Sequence, residues 1–232
     1  MFNATEAHIA QLREATGTDP LLLTVSPERP GAIAAIAAAV AAGIKVSLGH
    51  TNAPAEILQE AVKTGATGFT HLANGCPREL DRHDNIIWRV LETTGLTISL
   101  IPDGIHVSPA LFRLIHRSLG SEAIYYTSDA MAAAGAPPGK HKLGKLELEV
   151  GVDQVVRQSG KPLFAGSALR PVEGVFRAAE MLRSSWQESW KRFSEIPARM
   201  VGLRAGLTVG DPSHLCALTF SEDRKLLECQ VL

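Results

Sequence analysis

Residues 44–75 read IKVSLGHTNAPAEILQEAVKTGATGFTHLANG, and this stretch decides the fold. It opens on an apolar run, Ile44-Lys45-Val46-Ser47-Leu48, that ends in Gly49-His50-Thr51-Asn52-Ala53. An amphipathic stretch over 55–64 follows and stops at Gly65, a residue that closes helices by accepting the left-handed conformation. A shorter extended run, Thr67-Gly68-Phe69-Thr70, then ends in His71-Leu72-Ala73-Asn74-Gly75. Strand, helix and strand in this order predict a parallel pair joined by a right-handed crossover.

The same rhythm extends in both directions. Upstream stand the run Leu21-Leu22-Leu23-Thr24-Val25 and an alanine-rich helix that Pro30 begins and Gly43 ends, with Ile33, Ile36 and Val40 on one face. Downstream a helix carries Ile86, Ile87, Val90 and Leu91, and the run Leu96-Thr97-Ile98-Ser99-Leu100-Ile101 follows. A helix from Pro109 to Gly120 then leads into Ile124-Tyr125-Tyr126-Thr127. Five such units predict an α/β body with a parallel sheet. After residue 140 the pattern changes. Leu146-Glu147-Leu148-Glu149-Val150 alternates as a strand with one wet face does. Short strands over 152–157 and 162–164, one helix over 172–190, a small helix over 196–201 and a closing hairpin from 214–220 and 226–232 complete the expectation.

Composition narrows the function. The chain has 232 residues, 23 Lys and Arg against 24 Asp and Glu, a formal net charge of -1 and 45% hydrophobic residues. That content predicts a folded chain. The charge balance argues against nucleic acid, whose phosphates demand a clustered excess of cations. No run of 18 apolar residues exists, and Met1-Phe2-Asn3-Ala4-Thr5-Glu6 lacks the charged-then-apolar pattern of a leader. Cys76, Cys216 and Cys229 are far apart and form no Cys-x-x-Cys pair, so they read as free thiols in a reducing cytoplasm.

Ligands of parallel α/β folds bind beyond the carboxyl ends of the strands. Those ends carry His50, His71, Asp103, His106 and Asp129. A histidine at one strand end is usually a packing residue. Two on adjacent strands, with a carboxylate two strands later, suit a divalent metal, Zn or Fe, and an acid/base. Asp129 taken alone reads as a helix N-cap. Arg82, within Arg78-Glu79-Leu80-Asp81-Arg82-His83-Asp84, reads alone as a solvated charge. His8, His83, His116, His141 and His214 read as surface or loop residues, and Trp186 with Trp190 as a packing pair.

Five motifs occur in order: Gly49-His50-Thr51-Asn52-Ala53, Thr70-His71-Leu72-x-Asn74, Asp103-Gly104-x-His106-Val107, Ser128-Asp129-Ala130 and Ala165-Gly166-Ser167-x-Leu169. In them the chain resembles the carboxyl-terminal two-thirds of the N-acetylglucosamine-6-phosphate deacetylases of the amidohydrolase superfamily. The resemblance implies an incomplete TIM-like (β/α)8 barrel with part of a small β-sandwich domain. It places the partial barrel at 1–140, strands of the small domain at 141–166, returning barrel helices at 167–210 and a closing hairpin of the small domain at 211–232.

The resemblance also implies roles. His50 and His71 resemble metal ligands, and Asp129 the acid/base. Asn74, Gly75, His106, Phe164, Ala165 and Gly166 match substrate-contacting positions, although the family usually has alanine where this chain has Gly75. Arg82 matches an arginine that reaches the sugar phosphate, across the subunit interface in dimers. The substrate expected is a small amino-sugar phosphate. The family's third metal ligand, a glutamate in a Glu-Gly-Pro motif, has no counterpart in this sequence. Five units fall short of the eight that close a barrel of ~250 residues. A truncated chain, with two open edges, an apolar inner face and weak metal binding, is therefore expected, completed by a homodimer partner or a separate amino-terminal segment.

Overall fold

The computed structural model describes residues 3–153, 155–160, 164–206, 209, 215–221 and 226–232. After an amino-terminal helix α1 (Glu6–Thr16), the body runs β1 (Leu22–Val25), α2 (Ala32–Ala41), β2 (Lys45–Leu48), α3 (Ala55–Thr64), β3 (Gly68–Phe69), α4 (Ile86–Glu92), β4 (Thr97–Leu100), α5 (Pro109–Ser118) and β5 (Ile124–Tyr126). All five strands are parallel, in the order β1-β2-β3-β4-β5. Strand order that follows chain order keeps every right-handed crossover on the same face, which is how a barrel wall is wound. The fold is thus an incomplete (β/α) barrel of five units, with a separate antiparallel part.

Alternation along the strands divides the two faces. Val46, Leu48, Phe69, Ile98, Leu100, Ile124 and Tyr126 belong to the main core with the helices. The opposite face was expected to be apolar, and it is not. It carries hydroxyls: Thr70 Oγ1 lies 2.9 Å from Thr24 Oγ1 and 2.7 Å from Ser47 Oγ, and the Tyr125 hydroxyl faces Ser47 and Ser99. Each buried hydroxyl satisfies its neighbour, so the inner face needs no apolar filling. Gly68 belongs to this face; a methyl group there would run into Met200 Cε, so its bareness lets the late helix approach the sheet.

The buried face of α2 also differs from expectation. Ala32, Ala35, Ile36 and Ala39 face the core, while Val40 lies to the side and touches Gly65 at the end of α3. Small alanines allow close helix–sheet approach, and bulk is moved to the flank.

The antiparallel part comprises β6 (Gly139–Leu143), β7 (Leu146–Val150), β8 (Val155–Gln158) and β9 (Phe164–Ser167), in that order. The strand β6 had no counterpart in the sequence expectation. Residues 154, 162 and 163, within the expected short strands, lie outside the described residues, as does His214. The single helix expected over 172–190 is two, α6 (Pro171–Leu182) and α7 (Trp186–Phe193). Arg183 turns left-handed at φ 54°, and Ser185 caps the next helix by accepting from Glu188 N–H. A short α8 (Glu195–Met200) and the hairpin β10 (Cys216–Phe220) and β11 (Leu226–Val231) follow. Phe220 and Trp186 pack on Phe176, and Trp190 meets Trp186 edge-on. Among the described residues no helix is long and apolar enough to cross a membrane.

Candidate active site

His50 lies two residues past β2, and its loop is held from β1's side. Ser26 Oγ donates to the carbonyls of Gly49 and His50, at 3.1 and 2.9 Å. Glu28 accepts from Thr51 Oγ1 at 2.5 Å and from the Asn52 N–H at 3.1 Å. His71 lies two residues past β3, 4% exposed. Its N–H donates to Ser99 Oγ at 2.6 Å, and Ser99 in turn donates to the Phe69 carbonyl. The two rings meet edge-on, with Nε2 to Nε2 at 3.0 Å. Burial lowers the pKa of His71; the nearby Asp129 carboxylate offsets this only in part, so the ring is neutral at physiological pH.

Asp129 follows β5. No helix begins after it, since the chain turns towards β6, so the N-cap reading does not apply. Its carbonyl accepts from Ser167 N–H at 2.8 Å, the Met131 N–H donates to Ser167 O at 3.0 Å, and Ala130 pairs in parallel with Ser167. This seam joins β9 to the rim of the parallel sheet. It sets Gly166 over the Asp129 carbonyl, where a Cβ would stand 3.2 Å away. It also brings the half-exposed Phe164 ring to 5.0 Å from the His106 ring.

Backbone conformation marks the same residues. Among the described residues five non-glycine residues have positive φ, and four lie on this rim: His50 (53°), His71 (34°), Ala73 (74°) and Asp129 (49°). Left-handed backbone is costly for L-residues, least so for His, Asn and Asp, and such strain clusters at functional sites. Gly75, at φ 62°, packs directly under the His50 ring, where a Cβ would lie 2.7 Å from Nδ1. Asn74 is half-buried beside it and donates to the Leu72 carbonyl at 3.5 Å.

The rim therefore brings together His50, His71, Asn74 and Gly75 on one side, and His106, Phe164, Gly166 and Asp129 on the other, with Ala165 between Phe164 and Gly166 on β9. Arg82 is not drawn into this group. It lies on an exposed loop, and its carbonyl accepts from Trp88 Nε1. His116 is not a surface residue: it packs against Phe112 and bonds the Tyr126 hydroxyl at 3.1 Å. His8 lines, with Leu12, Leu23, Arg29 and His50, a cavity of about 420 Å³ between α1 and β1. Sequence reasoning missed the supporting residues Ser26, Glu28 and Ser99. Only Ser99 left a signal, as a polar residue inside an apolar strand.

Whether these residues suit a metal ion can be judged from their donors. Two imidazoles with facing Nε2 atoms match two ligands of one cation, whose nitrogens at ~2.0–2.1 Å from a tetrahedral zinc would stand about 3.3 Å apart. Among the described residues no group of three or more His, Cys, Asp or Glu side chains could hold a metal ion. The fit is that of a two-point site.

Comparison with known proteins places this arrangement. No family model matches the chain. The N-acetylglucosamine-6-phosphate deacetylase of Vibrio furnissii is 32% identical over 202 residues, 86% of this chain and 50% of the relative. That of Bacillus subtilis is 29% identical over 197 residues, 84% of this chain and 49% of the relative. A point mutant of the Mycobacterium smegmatis deacetylase, solved in complex with N-acetyl-D-glucosamine-6-phosphate, superposes with a TM-score of 0.88 at 31% identity, covering 99% of this chain and 61% of that one. The Pasteurella multocida deacetylase gives 0.84 at 26% identity, covering 99% and 60%. The chain spans about half the length of the curated relatives it matches. In sequence and in fold alike, it resembles part of the N-acetylglucosamine-6-phosphate deacetylases.

Proposed function

We propose that this chain takes part in hydrolysing the N-acetyl group of N-acetylglucosamine 6-phosphate, giving glucosamine 6-phosphate and acetate. The observation that carries the reading is the His50–His71 pair, with Nε2 atoms 3.0 Å apart at neighbouring strand tips and Asp129 close enough to act on His71. His50 and His71 would hold a divalent cation, Zn or Fe, which when bound polarises the acetyl carbonyl and acidifies water. Asp129 takes the proton of the attacking water and passes it to the departing amine nitrogen. Asn74, Gly75, His106 and the Phe164–Ala165–Gly166 strand line the sugar, Phe164 offering its exposed ring to an apolar sugar face. Arg82, on its exposed loop, suits the 6-phosphate, which its planar fork can grip by two parallel hydrogen bonds.

The domain plan of this reading is a partial barrel from 1–140 and 167–210, and a small β-domain from 141–166 and 211–232, in a cytoplasmic enzyme. Catalytic zinc sites usually have three protein ligands. We infer that a homodimer partner or a complementing amino-terminal segment completes the site, and that the chain alone binds metal weakly and turns over slowly. The test is acetate release from N-acetylglucosamine 6-phosphate with added Zn or Fe. Slow release is expected, abolished in Asp129→Asn with sugar-phosphate binding kept. Unchanged release by that variant would assign the base elsewhere. Binding without release by the unaltered chain would favour a non-catalytic sugar-phosphate binder, a reading that the two-ligand donor set also supports.

A further inference from the structure

We infer that Asp103 is the positioning residue for His106: it fixes the ring's tautomer so that Nε2, not Nδ1, meets the ligand. The inference rests on the deacetylase reading only for the identity of that ligand. Asp103 ends the loop entry after β4, and its two oxygens are used differently. Oδ1 accepts from the Ile105 and His106 N–H groups, at 2.8 and 2.9 Å. Oδ2 lies 2.6 Å from His106 Nδ1. Both side chains are almost wholly buried, 4% and 5% exposed. Burial pushes the Asp103 carboxyl up, but the bonds from the His106 ring and from two backbone N–H groups outweigh it and hold the pKa below the ordinary value. An ionised carboxylate can only accept, so Nδ1 carries the hydrogen.

The other ring nitrogen has no such partner. Among the described residues His106 Nε2 is buried and bonded to nothing. A buried polar atom left open is costly and is tolerated where a ligand satisfies it. The neighbouring ring of Phe164 provides an apolar wall. With Nδ1–H fixed, Nε2 accepts from a sugar hydroxyl while the ring is neutral.

Asp103→Asn separates this role from packing. The two backbone N–H groups require an acceptor at the Oδ1 position, so the amide oxygen stays there and the NH2 group faces His106 Nδ1. The ring must then accept at Nδ1 and carry its hydrogen on Nε2. The bonding mode above does not survive, because Nε2 cannot accept.

The experiment is nitrogen NMR of 15N-histidine-labelled protein at about pH 8, where ordinary histidines are neutral, with His106→Gln to assign the signal. Nδ1–H is expected in the unaltered protein and Nε2–H in Asp103→Asn. The same tautomer in both would overturn the inference. Titration with N-acetylglucosamine 6-phosphate in the same samples should show affinity falling at least tenfold in the variant. A flipped tautomer with unchanged affinity would also overturn it. An unaltered protein that does not bind this sugar phosphate counts against the deacetylase reading, and the tautomer comparison still decides the role of Asp103.

Discussion

The parallel sheet and the four-stranded antiparallel sheet of this chain differ in how they are held. The strands β2, β4 and β5 are buried on both faces, by helices outside and by a hydroxyl network inside. The strand β7 buries one face, Leu148 and Val150, in a small cluster with Val156 of β8, Ala133 and Ala168, and β6 is largely exposed. Glu147 and Glu149 face water, and Leu143, Leu146 and Val152 are left exposed. The site straddles the two. His50, His71 and His106 leave the well-packed sheet, Phe164 to Gly166 belong to the thin one, and Asp129 stands at the seam. The proposed metal ligands thus stand on the well-packed part, and the proposed sugar contacts are divided between the two.

Equal truncations on the two sides test this contrast most strongly. Leu48 and Leu148 are both 0% exposed. Leu48→Ala should cost about 4 kcal/mol, since helices and sheet surround the cavity, and Leu148→Ala about 2 kcal/mol, since the thin sheet can collapse. Urea denaturation of the two variants measures this, and equal losses would remove the distinction.

A smaller effect is expected from His116, which ties α5 to β5. Burial first, then the Arg192 charge, lowers its pKa from 6.5 to about 4. The unfolded chain therefore takes up a proton that the folded chain refuses. Above pH 6.5 both states are neutral and the ring contributes nothing; as pH falls from 6.5 towards 4 only the unfolded chain is protonated, and stability is lost by up to about 3 kcal/mol. His116→Gln should flatten the pH dependence of the urea midpoint in that window. An unchanged slope would mean that the well-packed half does not hold this ring neutral.

The smallest effect belongs to the rim. Gly75→Ala places a methyl group against the His50 ring at a left-handed backbone position. About 1 kcal/mol of stability should be lost, together with part of any metal affinity. Unaltered metal binding would show that the His50 ring has room to move.

The barrel units were legible because strand and helix periods differ and the chain alternates between them. The strand-tip residues were legible because parallel sheets place ligands there. What escaped depended on contacts distant in sequence. Ser99 supports His71 from 28 residues away, and Glu28 braces the His50 loop from across β1. The buried face of α2 was misjudged because alanines carry little hydrophobic signal. His116 was misjudged because its partner, Tyr126, lies on another element. The break at Arg183 escaped because the apolar pattern runs through it, although Ser185 and Glu188 form a capping pair that marks a new helix start.

The central claim is that His50 and His71 hold one cation together. Titration with Co2+, followed by its visible absorption, tests it directly. Weak binding of one Co2+ per chain is expected, lost in His50→Gln and in His71→Gln alike. Binding of undiminished strength in either variant would contradict it.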